Sequence, residues 1–133
     1  MSQRAFLTIV AFVALAIGGF AAIAPGALLD SKGVLPSEAG NLWARELGVA
    51  LVALGIVTFL ARKHEPSPTL RAFLIGNAVL QVGLFPIEII AYARGVITSL
   101  GGIVPNSVLH LVLACGFAYY ASRAVPKERP VGA

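Results

Sequence analysis

Apolar positions in this chain do not recur with the period of an amphipathic helix; they fill whole segments. Charged residues fall at intervals and leave uncharged runs at 5–29, 47–61, 72–87 and 95–122. A helix needs about 20 largely apolar residues to cross a hydrocarbon layer roughly 30 Å thick, and its backbone groups must be satisfied within the segment. The pattern therefore predicts an all-α, polytopic membrane protein: a single domain built as a bundle of four transmembrane helices, at Phe6 to Ala24, Leu42 to Ala61, Leu70 to Ala93 and Ile103 to Ala121.

Between the spans lie breakers. The first loop, Pro25 to Asn41, contains Pro25-Gly26, Lys32-Gly33 and Leu35-Pro36, which read as turns. The second, Arg62 to Thr69, offers Ser67 as an N-cap before Pro68 at the first helical position. Gly101-Gly102 and Pro105 separate the third span from the fourth, and residues 122–133, with Pro126 and Pro130, are expected to form a disordered cytoplasmic tail. Ser2-Gln3-Arg4 before an apolar stretch ending Ala22-Ile23-Ala24 imitates a secretory signal. The run exceeds a typical signal core and Pro25 would follow the cut, so an uncleaved first span is expected.

Composition agrees with this reading: of 133 residues, 58% are hydrophobic and 12% charged, outside the balance of soluble domains. The formal net charge of +4 would suggest nucleic acid in a soluble protein. Here the cations sit at span ends, so they report topology and no nucleic-acid partner is expected. Seven Lys and Arg (Arg4, Arg62, Lys63, Arg71, Arg123, Lys127 and Arg129) lie on the side of the termini, against Lys32, Arg45 and Arg94 on the other. The excess predicts both termini in the cytoplasm and a multi-pass protein of the plasma (inner) membrane. The one cysteine, Cys115, excludes an intrachain disulfide and reads as a small apolar filler of the fourth span.

Small residues at Ala14, Gly18 and Ala22 share a face of the first span. They predict close packing, either within the bundle or against a second copy or a partner membrane protein.

Ionisable groups within spans are costly and normally face the bundle interior or a wet cavity. Arg45 and Glu46 open the second span beside Trp43; Glu88 lies six residues before Arg94 in the third, about 9 Å of helix; Asn106 and His110 lie in the fourth. With the termini inside, all six polar groups fall in the outer third of the membrane. Asn77, Gln81, Glu88 and Tyr92 share a stripe of the third helix, and Asn106, His110, Leu113 and Phe117 share a face of the fourth. Pro86 predicts a kink that frees a carbonyl near Glu88. Two readings stay open: a structural cluster in which Arg45 pairs with Glu88 or Glu46 and His110 bonds across helices, Glu88 facing Arg45 or His110 inside the bundle and Trp43 serving as an interfacial anchor, or a ligand site formed by Trp43, Arg45, Glu46, Gln81, Glu88, Tyr92, Arg94, Asn106 and His110. No Cys, His or Asp spacing supports a metal site, and no cofactor or catalytic motif is present.

The layout also resembles the DoxX-like small four-helix membrane proteins. The resemblance is carried by Ala44-Arg45-Glu46-Leu47-Gly48, by the Ala/Gly-rich first span, and by Leu109-His110-Leu111-Val112-Leu113 running into Gly116-Phe117-Ala118-Tyr119-Tyr120. It covers most of the chain and implies a four-helix bundle, with some members acting as accessory or assembly factors; it transfers no catalytic residue. Three functions follow as expectations. The first is a non-enzymatic binding or accessory protein with an outward polar pocket for an amphipathic small molecule or a partner helix. The second is a dimeric proton-coupled transporter with Glu88 as coupling carboxylate, and the third an enzyme using Glu88 and His110 on a lipid-soluble substrate.

Overall fold

The computed structural model describes residues 1–124, and every element of regular secondary structure among them is an α-helix. Its elements are α1 (Gln3–Ile23), α2 (Pro25–Ser31), α3 (Glu38–Ala61), α4 (Pro68–Ala93) and α5 (Leu100–Arg123). Of these, α1, α3, α4 and α5 are long and apolar enough to cross a membrane. Their outward faces are apolar too: Phe12, Ile56, Val79 and Val108 are each more than half or nearly half exposed. Water would penalise such surface, whereas lipid accommodates it.

Serine caps set four helix starts. The hydroxyls of Ser2, Ser37, Ser67 and Ser99 accept from the backbone N–H groups of Ala5, Gly40, Leu70 and Gly102, each satisfying one orphan donor of the first turn. Pro68 follows Ser67 at the first position of α4 as expected. The helices α1, α3 and α4 start at Gln3, Glu38 and Pro68, earlier than the predicted Phe6, Leu42 and Leu70, and three further differences from the sequence reading have a local cause. Pro25-Gly26 opens α2 instead of turning the chain, because proline at the first position of a helix loses no hydrogen bond. Ser99 starts α5 three residues earlier than predicted, so Gly101, Gly102 and Pro105 are helical. At the other end α5 continues through Ser122 to Arg123, beyond the predicted start of the tail; the rest of that tail lies outside the described residues. The helix α4 continues through Pro86, whose missing N–H leaves the Val82 carbonyl without its usual helical donor.

Packing runs chiefly within two pairs, α1 with α3 and α4 with α5. Between α1 and α3 the contact is backbone to backbone. A Cβ on Gly18 would stand 2.8 Å from the Gly48 carbonyl oxygen and from the Val52 nitrogen; one on Gly48 would stand 2.5 Å from the Ala22 nitrogen. Of the predicted small-residue face, Gly18 and the Ala22 backbone thus meet α3 inside the chain, while Ala14 lines a cavity described below.

The long helices of the two pairs pack into a common core at one end. Phe6, Leu7 and Val10 of α1 meet Leu70 and Leu74 of α4 and Phe117, Tyr120 and Ala121 of α5 in the buried core. The Phe6 ring packs against the Gly116 position and edge-on to Phe117, and the Tyr120 hydroxyl donates to the Met1 carbonyl at 2.6 Å. At the opposite end the tie is made by loops. Thr98 Oγ1 donates to the Gly33 carbonyl at 2.8 Å, and the Thr98 and Ser99 N–H groups donate to the Lys32 carbonyl. Gly33 makes this turn with φ +68°, a conformation glycine adopts freely.

Candidate functional site

Joined at one end and pinned by loops at the other, the helix pairs leave a cavity of about 520 Å³ between them. Along α3 its wall is the stripe Trp43, Ala44, Leu47, Leu51, Leu54 and Thr58; along α4 it is Asn77, Gln81, Leu84, Ile87 and Glu88. From Asn77 to Glu88 is eleven residues, roughly 16 Å of helix, so the space is elongated along the bundle. Its deeper polar residues are satisfied locally: Thr58 donates to the Leu54 carbonyl at 2.7 Å and Asn77 to the Phe73 carbonyl at 2.9 Å.

Polarity is concentrated where α2 meets α4 and α5. Lys32, at the C-cap of α2, makes an ion pair with Glu88 Oε1. Asn106 Nδ2 donates to the same Glu88 oxygen at 2.7 Å and lies 3.2 Å from His110 Nε2. His110 Nδ1 is 2.6 Å from Gln81 Oε1. Because an amide nitrogen only donates, Asn106 fixes His110 Nε2 as an acceptor, and the imidazole proton then sits on Nδ1 and is donated to Gln81. One continuous chain, Lys32–Glu88–Asn106–His110–Gln81, thereby links α2, α4 and α5. Glu88 Oε2 is buried and has no hydrogen-bond partner.

The structure brings together Gln81, Glu88, Asn106 and His110, and it places Trp43 on the cavity wall with 69% of its surface exposed. It does not bring in the others. Arg45 and Glu46 are exposed, since the cavity stripe passes through Ala44 and Leu47 and each successive residue turns about 100° away. The expected Arg45–Glu88 pair is therefore replaced by Lys32–Glu88. Arg94 and Tyr92 are exposed and lie beyond the cavity, which ends where Lys32 meets Glu88. Cys115 is exposed on α5 instead of filling the interior.

Lys32 is the residue that sequence reasoning missed, having counted it as a loop cation. A signal was present in Lys32-Gly33 and Gly102. A Cβ on Gly102 would stand 2.5 Å from the Lys32 Cα, so glycine there admits the end of α2 against α5. Among the described residues no three His, Cys, Asp or Glu side chains gather as a metal-binding group. Two carboxamides, one carboxylate, one ammonium and one imidazole at the end of an apolar space can orient a polar head while its chain lies along the walls. In comparisons with known proteins, the chain matches no protein-family model, no curated protein and no solved structure.

Proposed function

We propose that the protein is a non-enzymatic binding module of a plasma (inner) membrane that holds an amphipathic small molecule between its two helix pairs. The observation that carries this reading is the division of one elongated cavity into mostly apolar walls, whose deeper polar groups are bonded to their own helices, and one charged polar end. Such a division matches a molecule with a chain and a head. The Lys32–Glu88 pair favours binding over proton-coupled transport, since a coupling carboxylate must exchange its proton with solvent while Glu88 is held by a cation and an amide. Asn106 stands between Glu88 and His110, which favours binding over acid–base catalysis by that pair. The DoxX-like resemblance supports an accessory role of this kind.

The test uses radiolabelled dodecanol and purified protein in detergent. Saturable one-to-one binding is expected for the unaltered chain. It should be lost on Leu54→Trp, which fills the cavity from the α3 wall, with the melting temperature kept within a few degrees. Unchanged binding by Leu54→Trp, or no saturable binding at all, overturns the reading.

Orientation follows from the cations. With Lys32 paired inside the bundle, only Arg45 and Arg94 of the three on its side remain free of Glu88, against seven on the side of the termini. Both termini are therefore assigned to the cytoplasm and the polar end of the cavity to the outer half of the membrane. In a Cys115→Ala background, a cysteine introduced at Leu35 should react with an impermeant maleimide in intact cells and one at Glu65 should not; the reverse pattern contradicts the assignment.

A further inference from the structure

The charges on the cavity wall restrict which head the site accepts. Lys32 and Glu88 are the only Lys, Arg, Asp or Glu among the described residues lining it, and they neutralise each other. Their side chains are 20% and 13% exposed, so neither is free to take a second ion without leaving the first. A head bearing its own charge would enter a weakly screened site with no uncompensated counter-charge, and the desolvation penalty would stand.

The network also fixes the direction of hydrogen bonding. The two amide protons of Asn106 go to Glu88 Oε1 and His110 Nε2, and the imidazole proton goes to Gln81. Within this chain of bonds Glu88 Oε2 is the buried atom left without a donor, and the Gln81 amide N–H groups are not used by it. An acceptor left unsatisfied away from water is expensive, and an incoming O–H is the group that completes it.

Resting on the binding function proposed above, we infer that the ligand is a neutral amphiphile whose head donates a hydrogen bond, a long-chain alcohol or polyol ester, and that Glu88 Oε2 accepts it. The Lys32–Glu88 pair acts as the selectivity element. It provides a strong acceptor through Glu88 and, through Lys32, withholds the net negative charge that would recruit a cation. Entry is from the lipid: Trp43, Leu47 and Ile87 line the cavity on α3 and α4 yet are each half-exposed or more, so they form an apolar mouth between those helices.

Three probes of equal chain length decide the matter: dodecanol, dodecylammonium and dodecanoate, compared at equal mole fraction in the detergent. Dodecanol should bind at least about tenfold more tightly than either ion, the selectivity that a 1.4 kcal/mol difference produces. Equal or tighter binding of an ion overturns the neutral-head inference and leaves the cavity-binding function standing. Failure of all three to bind overturns both. Charge variants give a second, independent reading. Lys32→Met should move the preference toward dodecylammonium and Glu88→Gln toward dodecanoate, each by about tenfold or more. The double variant Lys32→Met/Glu88→Gln, neutral again, should bind neither ion. If one of the single variants does not fold, the other and the double variant still report. An unchanged ranking in any folded single variant overturns the role given to the pair.

Discussion

Gly48→Ala should lower the stability of the detergent-solubilised protein by about 1–3 kcal/mol, and Gly48→Leu by more, because the added carbon has nowhere to go. The Cβ would meet the Ala22 nitrogen at 2.5 Å, the Gly18 carbonyl oxygen at 2.7 Å and the Ala21 carbonyl carbon at 3.0 Å. All three are backbone atoms of α1, which no rotamer change can move, so α1 and α3 must separate. Separation would also loosen Gly55, whose Cβ position lies 3.1 Å from the Ala11 carbonyl oxygen on the same interface. In lipid, where apolar surface gains little from burial, close van der Waals packing is what holds such helices together. Gly18→Leu belongs to the same class, facing Gly48 and Val52. The control is Gly76→Ala on α4: nothing lies within 4 Å of its Cβ position, and alanine is the better helix former by about 1 kcal/mol, so this change should be neutral or stabilising. Melting curves of the four variants decide the point. Equal behaviour of Gly48→Ala and Gly76→Ala would show that the helices are not in backbone contact.

The second large effect concerns the ion pair. Lys32→Met strands the Glu88 carboxylate, with one oxygen held by Asn106 and the other already without a partner. Removing one member of a buried pair costs about 3–5 kcal/mol, and the partial exposure of both side chains places the expected loss near the low end. Glu88→Gln strands the ammonium in turn but keeps an oxygen for Asn106, so it should cost less. The double variant should be less damaged than the two single losses added, by a coupling of roughly 0.5–3 kcal/mol. Pairing Glu88→Gln with Arg45→Gln instead should give additive losses, since Arg45 is exposed and does not line the cavity. Coupling to Arg45 and not to Lys32 would refute the pairing.

These two predictions separate what the amino-acid pattern discloses from what it conceals. The four long helices were legible because the requirement that creates them, an uncharged run long enough to cross hydrocarbon, is local. Caps were partly legible: Ser67 before Pro68 is a local signal, and Ser99 is one as well, hidden by glycines that suggested a loop. Helical periodicity correctly put Gln81 and Glu88 on one face of α4, and Asn106 with His110 on one face of α5. It could not choose between Arg45 and Lys32 as the partner of Glu88. That choice depends on α2, a seven-residue helix whose docking is set by the Gly33 turn just after it and by Gly102 and the Thr98 hydroxyl, both distant in sequence. Arg45 and Glu46 were attractive for their depth, yet depth fixes only the position along a helix. Their angle, about 100° to 200° past Ala44, turns them from the cavity.

Structure determination of the protein purified in a native-lipid nanodisc tests the central claim most directly. The predicted result is elongated, non-protein density running along Leu51 and Leu84, with its head within hydrogen-bond distance of Glu88 Oε2 and Lys32 still paired to Glu88. A bundle in which α3 and α4 close on each other and side chains fill the space from Asn77 to Glu88 would contradict it.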